Sequence, residues 1–232
     1  NSAKHFIAVD CGSSNGKMVD VAFDGDRISI ADSRPFSYEP VNVLGTMYNN
    51  IVGIYYAVLN NFKAFVRENQ PGSVKTIGVT TWGGDYGLFG EDGALLANMN
   101  HHRDNRTMQV LDEFFAAVSP RDFFYETGSI FFRGIGPCQL LCDKKFSPIY
   151  DKAKTLLGTP SVLTYFLSGV QIMDETIASS LAFTEPSGKV WNTKMLQRLG
   201  LRTDIFPEIC PAGTLLGKVA PNVGEFVGDK EI

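Results

Sequence analysis

The apolar positions of this chain change period as it runs. In "HFIAVD" (5–10), "KMVDVAF" (17–23) and residues 27–34 they run together or alternate as in strands, and "DGD" at 24–26 supplies the turn of a hairpin. Three consecutive strands are therefore expected. The period then lengthens. Leu44, Met47, Ile51, Ile54, Val58, Phe62 and Phe65 recur at helical spacing and predict one long helix over 42–68, ended by "NQPG". "VKTIGVTTW" reads as a fourth, buried strand, and "YGLFGEDGALL" as a hairpin turning at Glu91, Asp92 and Gly93. Helical patterns continue over 106–117, 136–145, 148–156, 160–168 and 192–199, punctuated by Pro and Gly. Hairpins, a helix, a hairpin and then helices predict an α/β domain with a mixed, partly antiparallel sheet. This is not the strict strand–helix alternation of a dinucleotide-binding fold.

Composition narrows the function classes. The 232 residues are 44% hydrophobic and 12% aromatic, as in a soluble globular protein. A formal charge of −4 gives no broad attraction to nucleic acid or to an anionic membrane. No apolar run reaches the length of a membrane span, and "NSAKHF" lacks the pattern of a signal peptide. The cysteines, Cys11, Cys138, Cys142 and Cys210, are scattered, which fits a reducing cytoplasm better than a disulfide framework. Cys138 and Cys142 share a helix face without a nearby His or further Cys, so they read as buried apolar residues rather than zinc ligands.

The candidate chemistry begins at "DCGSSNGK", between the first two strands. A P-loop needs four residues between its glycines and a helix after its Lys. Here Gly12 and Gly16 enclose three residues, Met18 follows Lys17, and the next element reads as strand. The remaining functional reading is a β-hairpin that grips phosphate. Gly12, Ser13 and Ser14 would let backbone N–H groups approach the oxygens, hydroxyls would add donors, and Lys17 would add charge. Asp10, at the end of a buried strand, is costly to bury without a partner, and Mg²⁺ would supply one. The alternative is a tight turn capped by Asp10. Spacing alone leaves both open.

Asp-x-Gly-x-x-x-x-Lys between two strands resembles the first phosphate motif of the actin, hexokinase and Hsp70 superfamily. "IGVTTWGGDYGLFGEDG", "HHRDNRT", "GTPSVLTYFLSG", "MDETIASSLAF" and "FPEICPAGTLLGKV" come next, in the order found in the FGGY family of carbohydrate kinases. Within it, Trp82 to Asp85 is most similar to the rhamnulokinases. The resemblance implies an actin-like, ribonuclease H-like ATPase domain, with residues 1–232 forming the first, sugar-binding domain of two. It implies ATP and Mg²⁺ as cofactors, and phosphorylation of a ketose such as L-rhamnulose to its 1-phosphate. Carried onto this chain, Asp10 organises the metal, and Gly12, Ser13, Ser14 and Lys17 meet the phosphates. Trp82, Gly83, Asp85, His102, Arg103 and Asp104 bind the sugar. Trp82 offers an apolar plane to its C–H face, and the charged groups offer hydrogen bonds.

Plainer readings stand beside these roles. Trp82 as core, Asp104 as a helix cap and His101 as a surface residue are each compatible with the pattern, and His5 is expected to face its strand neighbours. Two positions depart from the family. Pro160-Ser161-Val162-Leu163 replaces Pro-Asp-Tyr-Leu, weakening the case for a structural cap there, and His102 replaces an aromatic before Arg103. No catalytic residue is assigned. The family's catalytic Asp, in a Gly/His-Asp motif, is expected beyond Ile232, and "VGDKEI" around Asp229 does not match it. On this reading the partners are the sugar, ATP, the second domain of the same protein and a second copy in a homodimer. The other reading is a non-catalytic sugar-binding or regulatory protein derived from a kinase.

Overall fold

The fold is that of a computed structural model, which describes residues 3–232. β1 (Lys4–Cys11) and β2 (Asn15–Phe23) pair antiparallel, from Lys4 opposite Phe23 to Cys11 opposite Gly16. Ile7, Val9 and Cys11 are buried and alternate with the exposed Ala8 and Asp10, the two-residue period of a strand with one wet face. β3 (Ile28–Ser37) lies antiparallel to β2. After a small hairpin of β4 (Val41–Val43) and β5 (Thr46–Tyr48) comes α1 (Ile51–Glu68), and β6 (Val74–Thr81) returns parallel to β1. The sheet is mixed, in the order β3-β2-β1-β6. His5 does meet a strand neighbour: its Nδ1 lies 2.7 Å from the Asp20 carboxylate on β2.

The long helix begins later than the periodicity predicts, at Ile51 rather than 42. Leu44 and Gly45 have φ of 50° and 88° and form the turn of the β4–β5 hairpin, a conformation that glycine favours and a helix forbids. Asn50 then caps α1 by accepting from the Gly53 N–H at 3.1 Å. From there the expected face holds, with Ile51, Ile54, Val58, Phe62 and Phe65 buried. β6 is only half buried, because it is the edge of the sheet.

The second half is mostly helical: α2 (Leu111–Ala117), α3 (Pro120–Thr127), α4 (Gly136–Phe146), α5 (Thr159–Ser168), α6 (Glu175–Ser180), α7 (Thr193–Arg198) and α8 (Pro221–Val227). β7 (Tyr86–Phe89) pairs antiparallel with β8 (Thr155–Gly158), and the short β9 (Met173–Asp174) and β10 (Ile209–Cys210) pair parallel. The helix expected over 148–156 is thus a 3₁₀ turn at Tyr150–Lys152 and then β8. A short apolar run does not declare its period, and a distant partner strand decided it. The turn expected at 91–93 forms, with the Gly90 N–H on the Ala94 carbonyl at 2.9 Å. Its return strand shrinks to a Phe89–Leu95 bridge. α5 has no side-chain cap, because its N-cap residue is Gly158.

The β7–β8 ribbon divides the core. Leu88 and Leu156 face a helical cluster with Phe114, Phe123, Leu140 and Phe183, which also takes in Cys138 and Cys142. Phe89 and Leu157 face the sheet cluster with Ile7, Met18, Val58 and Phe62. Strand alternation lets one ribbon serve two cores. Among the described residues no helix is long and apolar enough to cross a membrane.

Candidate functional site

β1 and β6 are parallel neighbours, with Cys11 opposite Thr81, so the loops leaving the two strands emerge side by side. The Trp82 N–H ties the two ends together by donating to the Cys11 carbonyl at 3.1 Å.

After β1 comes the hairpin turn. Pairing runs to Cys11 and Gly16, leaving Gly12, Ser13 and Ser14 as its tip, closed by the Gly12 N–H on the Asn15 carbonyl at 2.9 Å. Both serines are exposed. Gly16 is needed for packing, since a Cβ there would lie 2.3 Å from the Phe36 ring. The Asp10 side chain is 56% exposed, which corrects the expectation that it carries a buried charge needing a partner. The charge stands on the wet face of β1, opposite Lys17, whose Nζ is 4.0 Å away. Such an exposed pair holds little energy, so both groups are free to engage a ligand. A small open turn with two hydroxyls, one ammonium and one hydrated carboxylate fits a polyphosphate with its Mg²⁺.

After β6 the surroundings are dry. Asp85 is completely buried. Its Oδ2 accepts from Trp82 Nε1 at 2.7 Å and from Asn49 Nδ2 at 3.0 Å, and lies 3.1 Å from His102 Nδ1. These donors offset the cost of burying the carboxylate. Gly83 packs so closely that a Cβ would lie 2.8 Å from that of Ser180, and Gly84 has a φ of 108°. The Gly84 carbonyl accepts from Gln139 Nε2 at 2.6 Å, and the same amide reaches the Gly134 carbonyl at 2.8 Å. Gly134 in turn leaves room for the loop, because a Cβ there would lie 2.1 Å from the His102 carbonyl oxygen.

His101 is not at the surface. It is 3% exposed, stacks on His102 with centroids 4.3 Å apart, and accepts the Arg103 N–H on Nδ1 at 3.1 Å. Burial pushes its pKa down, favouring the neutral ring that such acceptance requires. Asp104 is a cap: its oxygens accept the Arg106 N–H at 2.7 Å and the Met47 N–H at 2.6 Å, which ties the loop to β5. Trp82, Gly83, Asp85 and His102 are thus drawn into one knot. Asp104 is held beside it, while Arg103 is exposed and its side chain is unbonded among the described residues. Ligand atoms of Asp85, His101 and His102 lie within 4.8 Å of one another, near enough for a metal, yet Asp85 Oδ2 and His101 Nδ1 already accept N–H donors.

Asn49 and Gln139 escape a reading by sequence. Asn49 falls inside the over-extended helix; Gln139 stands alone in the apolar run of α4, and a buried amide without a local partner was its signal. Behind Gln139, Arg106 pairs with Asp143, which also accepts from the Tyr86 hydroxyl. Burial raises the Tyr86 pKa and keeps that hydroxyl protonated. On the open side of β6 runs a groove of about 560 Å³, lined by Thr76, Gly78, Asp174, Ser180, Leu215 and Ile232.

Comparison with known proteins identifies the family of the chain. The profile of the FGGY family of carbohydrate kinases, N-terminal domain, matches residues 5–232, and the chain belongs to that family. It is 26% identical to a rhamnulokinase of Oceanobacillus iheyensis, over 96% of this chain and 47% of the relative. It is 25% identical to one of Bacteroides thetaiotaomicron, over 97% and 46%. Among solved structures, the gluconate kinase of Lactobacillus acidophilus superposes with a TM-score of 0.87 at 18% identity, over 98% of this chain and 46% of that one. The glycerol kinase of Plasmodium falciparum with ADP gives 0.84 at 19%, over 99% and 48%. These fix the actin-like ATPase fold. The chain spans about half the length of the relatives it matches.

Proposed function

We propose that this chain is the sugar-binding first domain of a kinase that transfers a phosphoryl group from ATP to a ketose, such as L-rhamnulose to its 1-phosphate. The observation that carries the reading is the adjacency of the two sites. The Gly12–Ser14 tip and Trp82 leave neighbouring strands, and the Trp82 N–H donates at 3.1 Å to the carbonyl of Cys11, the residue before the tip. Phosphoryl transfer depends on placing acceptor and phosphate in line and neutralising charge, so it requires two such sites in contact.

Each group has a role on this reading. Gly12, Ser13, Ser14 and Lys17 hold the terminal phosphates. Asp10 holds Mg²⁺, which would spread the phosphate charge. Trp82 presents its indole face to the sugar, held edge-on by Asp85. Gly83, His102, Arg103 and Asp104 complete the sugar wall, with Arg103 the mobile donor. The general base and the nucleotide pocket lie in the second domain, beyond Ile232. The half-length match to the relatives supports a second domain. The reading places the protein in the cytoplasm, with ATP.

The test is ATP consumption by a protein extended through the second domain, assayed with L-rhamnulose, xylulose, gluconate and glycerol. One preferred ketose, strict Mg²⁺ dependence and loss of turnover in Asp10→Ala are expected, against no turnover by residues 1–232 alone. Sugar binding without turnover by the extended protein would replace this reading with a non-catalytic sugar-binding protein.

A further inference from the structure

One residue between the hairpin and Trp82 has no part in either site. Tyr38 follows β3, and its hydroxyl donates to the Gly12 carbonyl and lies 3.0 Å from that of Asn15. Those two residues close the turn. Its ring packs against Trp82, with centroids 5.8 Å apart and planes tilted by 33°, and on its other side meets Phe36 at 5.8 Å. Phe36 is the ring that covers Gly16. A single side chain therefore touches the tip of the phosphate hairpin at one end and the indole of the sugar wall at the other.

The chemistry of a phenol suits this position. It has one proton to donate, so it serves one carbonyl fully and the second only weakly. Burial raises its pKa far above the physiological range, which keeps the proton in place. Which carbonyl it serves depends on where the ring sits, and the ring rests on Trp82. Trp82 is itself held by Asp85 through its indole N–H at 2.7 Å. Pressure on the indole face is thus passed to the Gly12 carbonyl, and hence to the direction of the Ser13 and Ser14 N–H groups.

We infer that Tyr38 is a positioning residue that couples the sugar wall to the phosphate hairpin: a sugar seated on Trp82 steadies Tyr38, and Tyr38 holds the turn closed for phosphate. The use of this coupling rests on the sugar-kinase reading, but its existence is testable without sugar or nucleotide. By linkage, the effect must be reciprocal.

The experiment is amide hydrogen exchange by NMR on the 232-residue chain, read at the Gly12 N–H that closes the turn. Tyr38→Phe keeps the ring and removes the hydroxyl, and should speed exchange at Gly12 about fivefold while leaving Ile7 and Val9 unchanged. Trp82→Leu should speed Gly12 exchange when Tyr38 is present and add nothing in a Tyr38→Phe background. Equal effects of Trp82→Leu in both backgrounds would overturn the inference, because coupling would then run through the Trp82–Cys11 backbone bond. No effect of either substitution would also overturn it. A third arm adds L-rhamnulose: protection gained at Gly12 in the parent and lost in Tyr38→Phe supports the coupling in use. If the exchange cycle holds and L-rhamnulose gives no protection, the coupling stands, and the kinase reading is decided by turnover of the extended protein.

Discussion

Asp10 and Asp85 sit at the same end of the same sheet and live in opposite worlds. Asp10 has a side chain 56% exposed and one loose partner 4.0 Å away. Asp85 is wholly buried and gathers donors from Trp82, Asn49 and His102, residues as far as 36 positions away in sequence. The hairpin around Asp10 is closed by its own strands, so its tip is left wet and available. The knot around Asp85 spends its hydrogen-bonding capacity on holding loops together. The first leaves its polar groups free, and the second spends them within the protein.

The sharpest way to break this contrast is to remove each carboxylate from the 232-residue chain and follow urea unfolding. Asp85→Ala leaves the Trp82 and Asn49 N–H groups without their acceptor and should cost about 3 kcal/mol or more. Asp10→Ala should stay within about 0.5 kcal/mol. Similar losses for the two would show that the hairpin is as structurally committed as the knot.

The glycines test the same difference sterically. Gly134→Ala puts a methyl 2.1 Å from the His102 backbone oxygen, whereas Gly16→Ala puts one 2.3 Å from the Phe36 ring. Backbone held by the knot gives way less easily than an aromatic ring at the sheet surface. We expect about 2–3 kcal/mol for Gly134→Ala and about 1 kcal/mol for Gly16→Ala, from thermal unfolding. The reverse order would mean that the His102 loop is soft.

Asn49→Ala should cost about 1–2 kcal/mol, since it removes donors from both the Asp85 carboxylate and the Asn100 carbonyl. A neutral result would leave Trp82 and His102 as sufficient anchors.

A smaller effect concerns pH. Burial lowers the His101 pKa in the folded state, so below the unfolded value of about 6.5 the unfolded chain binds the extra proton. Stability should therefore fall as pH drops through that region, and His101→Gln should flatten the acid limb of a stability–pH curve. Wild-type and variant curves with the same slope would place the acid sensitivity elsewhere. Ser13→Ala, at the wet tip, should leave stability unchanged within about 0.5 kcal/mol at any pH.

How much could be read from the residues depends on how local each feature is. The hairpin strands, the face of α1 from Ile51 onward, and α4 and α5 announce themselves by period and by Pro and Gly, because neighbours in sequence create the burial pattern. The family and the order of its motifs were legible too, and so was the candidate phosphate turn.

Other features were settled only by contacts between distant segments. Leu44 and Met47 fit a helix by spacing, but a Leu-Gly turn in positive φ and pairing with the 100–104 loop made them a hairpin. Residues 155–158 became strand because β7 lay open beside them. Asp10 stayed wet and His101 became buried because strand alternation and loop packing, rather than residue type, set which side faces water. Asn49, Gln139 and Tyr38 reach the loop of Trp82 and Asp85 from separate stretches of chain. A side chain's hydrogen-bond partner across such distances is fixed by how the layers stack, and only the tertiary structure could bring them to one place.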